Sequence, residues 1–265
     1  MTAGTLDHHR YCDATEAQLA AILDAADAAG PDEPVPGCPG WTVGDLLRHL
    51  GYVHRWAGGM VEVAAQDVVP MRDLAGTAPK DPAELRAWFV DGAAALLAAL
   101  RATDPETVMW AWGAGGRAGF WARRMLHENA VHRCDAEVAA GRDPAVDADI
   151  AADGIEELLG LLPRASMFAP KTANLRGKGE VLALAAPDAG ARWLLRLQPD
   201  GFTWTREDAA AATGGPDVSD AQAAVRGNVS DLFLFLWGRR KLGDPRLEFS
   251  GDDALLVHWV ENSAL

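Results

Sequence analysis

The period of the apolar residues changes once along this chain, near Pro163, and that change constrains the fold more than any single motif. Before it, apolar side chains recur three or four residues apart in segments separated by Gly/Pro loops; after it, short segments alternate. Residues 14–29 carry Leu19, Ile22, Leu23 and Ala26 at helical spacing and stop at Gly30-Pro31, where glycine takes the left-handed cap and proline cannot continue. Thr42 stands three residues before Asp45 as a capping-box-like pair, with Trp41 and Leu46 at the positions of a hydrophobic staple, so a second helix is expected over about 42–65. A third opens at Asp81-Pro82, with Leu85, Trp88, Phe89, Ala93, Leu96, Leu97 and Leu100 on one face. A fourth, about 120–140, follows the loop 113–119 and stops at Gly141; another, about 150–162, ends at Pro163.

Beyond Pro163 strands are expected at 181–185, 191–197 and 202–205, parted by Pro187-Asp188 and Pro199-Asp200-Gly201 turns. Asn228 to Asp231 then caps an apolar helix through Trp237, a strand-like 247–249 follows, and a last helix starts near Asp252. The expected fold is α+β: a helical bundle over 1–165 and a small α/β domain over 166–265.

Composition excludes some functions. The 265 residues are 49% hydrophobic and 23% charged, as in a chain that folds, and 24 Lys plus Arg against 38 Asp plus Glu leave a net charge of −14. Such a chain repels phosphate backbones and anionic lipid, so neither nucleic acid nor membrane is expected as a partner. No apolar run approaches the roughly 18 residues of a spanning helix. The start MTAGTLDHHR has no cationic stretch followed by an apolar one, and a cytoplasmic protein is expected. Cys12, Cys38 and Cys134 are odd in number and widely spaced, which points to reduced thiols rather than a disulfide framework or a CxxC centre.

The chemistry is concentrated on two helices. Trp121, Met125, Glu128, His132 and Asp135 share one stripe of the fourth helix, so acid and imidazole take positions where apolar residues are expected. On the second helix Leu46, His49, Val53, Trp56 and Met60 form the inward stripe, with His49 its ionisable member. Polar groups buried without partners cost about 1–3 kcal/mol each, and a divalent metal would compensate. Two imidazoles and one carboxylate are a common catalytic Zn²⁺ set that leaves a position open. Glu128 and His132, at i,i+4, lie about 40° apart around the axis and reach one ion, whereas His127 and His132 lie about 140° apart and do not. The bland readings are a satisfied core histidine for His49 and a surface ion pair for Glu128 with His132. His54 is expected to be partly exposed, His8, His9 and His258 to be surface residues, and Arg117, Arg123 and Arg124 to be solvated cations.

The stretches Cys38-Pro-Gly-Trp-Thr-Val-Gly-Asp-Leu-Leu-Arg-His49, Arg123-Arg-Met-Leu-His-Glu128-Asn-Ala-Val-His132-Arg-Cys-Asp135 and Asp231-Leu-Phe-Leu-Phe-Leu-Trp-Gly-Arg239-Arg240 resemble the mycothiol-dependent, maleylpyruvate isomerase-like family. The resemblance spans nearly the whole chain. It implies a DinB-type four-helix bundle followed by a sterol-carrier-like domain, metal ligands at His49, Glu128 and His132, and mycothiol as cosubstrate. It also implies that an arginine of the second domain, matched by Arg239, faces the metal, where its two-pronged guanidinium would bind a substrate carboxylate. The alternative for Arg239 is a helix-end cation on terminal carbonyls.

On this reading the ion, Zn²⁺ or similar, turns a bound thiol into a thiolate that adds to an electrophilic small molecule, giving isomerisation or thiol transfer. The competing reading is a non-catalytic, metal-stabilised module that holds an apolar molecule between 232–237 and the sheet. A structural zinc site usually has four protein ligands, and Cys134, about 200° around from His132, is expected to face away.

Overall fold

Capping chemistry places the helix ends in this computed structural model, which describes residues 6–112, 116–208 and 221–264. Helix α1 (His8–Ala29) starts earlier than its apolar period suggests, because the Asp7 side chain accepts from the Arg10 N–H. It ends at Gly30, whose φ of +89° is open to a residue without Cβ. Helix α2 (Val43–Glu62) has the full capping box: Thr42 Oγ1 accepts from Asp45 N at 3.3 Å and Asp45 Oδ2 accepts from Thr42 N at 3.1 Å. A single turn, α3 (Met71–Leu74), precedes α4 (Pro82–Ala102), where Asp81 caps two N–H groups and proline occupies the first turn. Helix α5 (Gly119–Ala139) follows the loop expected at 113–119, of which 113–115 lie outside the described residues.

Helix α1 packs on α5 and α4, and α2 packs on α4 and α5, so these four close into a bundle. Ile22, Leu46, Leu50 and Phe89 are wholly buried in its core, each contributing about 1.5–3 kcal/mol by leaving water. Close approach of α2 to α4 depends on Gly51, where a Cβ would stand 2.1 Å from the Trp88 ring.

The contacts divide the chain between Pro144 and Ala145, earlier than the boundary read near 165. Helix α6 (Ala148–Leu161) accounts for the difference: Ile155, Leu158 and Leu159 are buried, and its packing partner is α7 (Val229–Leu236) of the second unit. Among the described residues that unit holds a sheet of β1 (Val181–Ala186), β2 (Ala191–Gln198), β3 (Gly201–Asp208), β4 (Ala223–Arg226) and β5 (Glu248–Gly251), ordered β3-β2-β1-β4-β5. Neighbours are antiparallel except β1 and β4, which run parallel with Leu184 opposite Val225. In β2 the alternation is direct: Ala191, Trp193, Leu195 and Leu197 are buried and the residues between them are not.

Asn228 caps α7 by accepting from Asp231 N at 2.8 Å, and Asp252 caps α8 (Asp253–Asn262). Helix α7 stops at Leu236, and Gly238 (φ +74°) turns the chain, so Arg239 and Arg240 lie beyond the helix rather than on it. Among the described residues no helix is long and apolar enough to cross a membrane.

Candidate metal centre

Helix α2 presents His49, and α5 presents Glu128 and His132 one turn apart. Glu128 Oε1 lies 3.0 Å from His49 Nε2 and 3.5 Å from His132 Nε2. One ligand atom from each of the three falls within 4.8 Å of the others. Donors bound at about 2.0–2.2 Å to one tetrahedral ion lie roughly 3.3–3.5 Å apart, so the spacing and the N₂O donor set fit a divalent ion such as Zn²⁺. Side-chain exposure falls from 33% at His49 through 21% at Glu128 to 10% at His132, which leaves the cluster open on its α2 side.

The groups around the triad aim it. Arg124, 3% exposed, donates to Glu128 Oε2 at 3.0 Å, so the other carboxylate oxygen is the one that faces the imidazoles. Asp135, buried to 1%, meets His132 Nδ1 at 2.9 Å, which directs Nε2 toward Glu128. The loop before α2, closed by Val35 N to Trp41 O (2.9 Å) and Trp41 N to Cys38 O (3.0 Å), carries Trp41 against both imidazoles. Its ring centroid is 5.0 Å from His49 and 6.2 Å from His132, nearly parallel to the latter. Cys38 of the same loop brings Sγ to 3.5 Å from Asp135 Oδ2.

Burial opposes the charge on Glu128, but hydrogen bonds with His132 and His49 and the Arg124 cation outweigh it and hold the carboxyl well below its usual range. Burial likewise opposes charge on His132, yet Asp135, Cys38 and Glu128 together hold it well above the usual imidazole value. His132 thus sits between two carboxylates, 3.5 Å from Glu128 and 2.9 Å from Asp135, that favour its charged form.

Several sequence expectations are corrected. Helix α5 is buried on more than its stripe, since Ala122, Leu126, Asn129, Ala130 and Ala136 are also inside. Arg124 is a buried partner of Glu128, not a solvated cation; Arg117 is exposed and donates to Glu106 O at 2.8 Å, and Arg123 is half-buried. His54 is fully buried, covered by α4 and α5, with Nε2 2.9 Å from Asn129 Oδ1; burial pushes its pKa down to about 4. His8 is half-buried on Leu100 O at 2.8 Å, His9 is exposed and His258 half-buried. The three cysteines are reduced thiols, Cys12 and Cys134 buried and Cys38 half-buried.

Arg239 is half-buried and donates to Trp237 O at 2.7 Å. Arg240 is buried and paired with Asp231 at 2.9 Å. The roles of Asp135, Arg124 and Cys38 were missed. Asp135 was visible as the third polar member of the α5 stripe, and Arg124 stands i,i+4 to Glu128; nothing local marks Cys38, whose partner is 97 residues away.

Comparison with known proteins gives a consistent picture. Residues 12–137 match the mycothiol maleylpyruvate isomerase N-terminal domain, and residues 149–258 match the C-terminal domain of the same enzyme family. Among solved structures, the mycothiol-dependent maleylpyruvate isomerase aligns with a TM-score of 0.57 at 16% identity, over 93% of this chain and 95% of that one. A histidine-to-alanine mutant of it aligns at 0.59, with the same identity and coverage. No curated protein matches. The fold is α+β in both, with helical residues first and a small mixed sheet after. Two domain matches that together take in most of the chain show that it belongs to the mycothiol maleylpyruvate isomerase family.

Proposed function

We propose that His49, Glu128 and His132 hold a divalent cation, Zn²⁺ or a similar ion, and that the protein uses mycothiol to act on an electrophilic small molecule. The observation that carries this reading is the convergence of two imidazole nitrogens on one oxygen of a half-buried carboxylate, at 3.0 and 3.5 Å. When bound, the ion supplies positive charge that lowers the pKa of a thiol beside it, making thiolate available near neutral pH.

The chain's own residues prepare that site. Arg124 holds Glu128 by the oxygen turned away from the imidazoles, so the carboxylate offers one donor atom and keeps its orientation. Asp135 takes the Nδ1 proton of His132 in hydrogen bond and leaves Nε2 as the donor. Trp41 lies against both rings, nearly parallel to that of His132. Arg239 is the proposed carboxylate-binding residue of the second domain, and family resemblance supports it; Arg239→Lys would keep the charge and lose the paired donors.

Thiolate addition to an activated double bond leaves a rotatable single bond in the adduct. Rotation followed by thiol expulsion is cis/trans isomerisation, as in maleylpyruvate turnover; release of the adduct is thiol transfer. The test is a screen of metal-loaded protein with mycothiol against electrophiles including maleylpyruvate, reading thiol loss and isomer formation together. Isomer without thiol loss identifies an isomerase, and thiol loss with adduct a transferase. Neither signal with any electrophile would overturn the reading.

A further inference from the structure

His132 has a second set of donors on its other side. Cys38 Sγ, Asp135 Oδ2 and a ring nitrogen of His132 also lie within 4.8 Å of one another. The shared carboxylate oxygen is 3.5 Å from the sulfur and 2.9 Å from Nδ1. Sulfur and oxygen bound to one tetrahedral zinc-like ion, at about 2.3 and 2.0 Å, are roughly 3.5 Å apart, and nitrogen and oxygen roughly 3.3 Å. The sulfur edge already has that length, and the nitrogen edge needs to open by a few tenths of an ångström.

Charge and access agree with the spacing. A thiolate and a carboxylate together neutralise a dication, which a carboxylate 1% exposed requires of whatever shares its pocket. Cys38 is half-buried on a loop outside any helix, whereas Cys12 and Cys134 are 0% and 1% exposed inside α1 and α5. Soft thiolate in the donor set selects thiophilic d¹⁰ ions over Mg²⁺ or Mn²⁺.

We propose that Cys38, Asp135 and Nδ1 of His132 form a second cation site, thiolate-containing and selective for soft divalent ions, that shares its imidazole with the first. Occupation replaces the His132–Asp135 hydrogen bond that orients the ring toward Glu128. Soft cations in excess therefore compete for the support of the first centre. The proposal rests on the function proposed above only through the shared ring.

Cadmium tests it, because a cadmium–thiolate bond has a charge-transfer band in the ultraviolet that nitrogen and oxygen donors do not produce. Titrating the full chain with Cd²⁺ is expected to raise that band in the wild type, abolish it in Cys38→Ser and preserve it in His49→Ala, with unfolding temperature as the control for folding. Cadmium bound without the band in the wild type overturns the proposal and leaves the His49–Glu128–His132 centre standing. Persistence in Cys38→Ser overturns it by assigning the sulfur to another cysteine, and loss in His49→Ala overturns it by making the two donor sets one site. A band that behaves as expected, with bound metal unchanged in His49→Ala, contradicts the first centre instead.

Discussion

Helices α5 and α7 are both buried along most of their length, and they fill their buried positions in opposite ways. Helix α7 buries Leu232, Phe233, Leu234, Phe235 and Leu236, with one acid, Asp231, that pairs with Arg240. Helix α5 buries Arg124, His127, Asn129, His132, Arg133 and Asp135 among its apolar residues. Each such group costs about 1–3 kcal/mol unless it is hydrogen-bonded. On α5 the compensation is explicit: Arg124 with Glu128, His132 with Asp135, Arg133 with Glu137 at 2.7 Å, and Asn129 with His54. Around α7 the core is specified by packing, with Asp231–Arg240 as its polar clamp, whereas the bundle centre is specified by a chain of charges and hydrogen bonds. Apolar side chains suffice to bury α7, whereas α5 buries charged and polar groups that need the partners named above.

The largest effect expected from breaking this contrast is in the packed half. Arg240→Ala leaves Asp231, 8% exposed, without its cationic partner and with only the Asn228 amide on its carboxylate, and should cost about 3–5 kcal/mol in denaturant unfolding. A change under 1 kcal/mol, roughly what an exposed pair is worth, would show that the clamp is solvated.

In the bundle, His54 is held neutral, with a folded-state pKa of about 4 against an ordinary 6.5. As pH falls through 6.5 the unfolded chain takes up this proton and the folded chain does not, so stability is full above 6.5 and declines until about 4. At 1.36 kcal/mol per pH unit the loss amounts to about 3 kcal/mol. His54→Gln keeps a polar group toward Asn129 and should flatten that part of the stability–pH curve. Parallel curves for the two proteins would contradict the assignment.

Asp135→Asn tests the support of the centre. It retains the shape but not the charge against His132 Nδ1, and should weaken zinc binding by about 10–100-fold in a chelator competition. Unchanged affinity would leave Asp135 a structural residue. The smallest effect is at the entrance to α2: Thr42→Ala removes one side of the capping box and should cost about 1 kcal/mol of stability with zinc affinity unaltered.

What the chain discloses before folding follows the range of the interactions. Local signals are legible: the Thr42–Asp45 box, Asp81-Pro82 at the start of α4, and the Gly30 stop all appear as written. Strand β4 is not legible, because Ala223-Ala-Val-Arg is four residues long and has no alternation of polar and apolar positions. The periodicity of α2 and α5 selected His49, Glu128 and His132, and the structure brings them together. Their surroundings depend on distant pairings. Cys38 reaches Asp135 across 97 residues and His54 reaches Asn129 across 75, so neither spacing carries a local pattern. The attachment of α6 to the second unit is lost for the same reason: its apolar face is equally suited to a fifth bundle helix until α7 is present to cover it.

The most direct test of the proposed centre is the metal content of purified full-length protein equilibrated with zinc and then desalted, compared with His49→Ala, Glu128→Ala and His132→Ala. About one tightly held ion per chain is expected at the three-ligand centre in the wild type, with loss in each variant whose unfolding temperature shows it folded. Full retention of the ion in His49→Ala and His132→Ala would contradict the account.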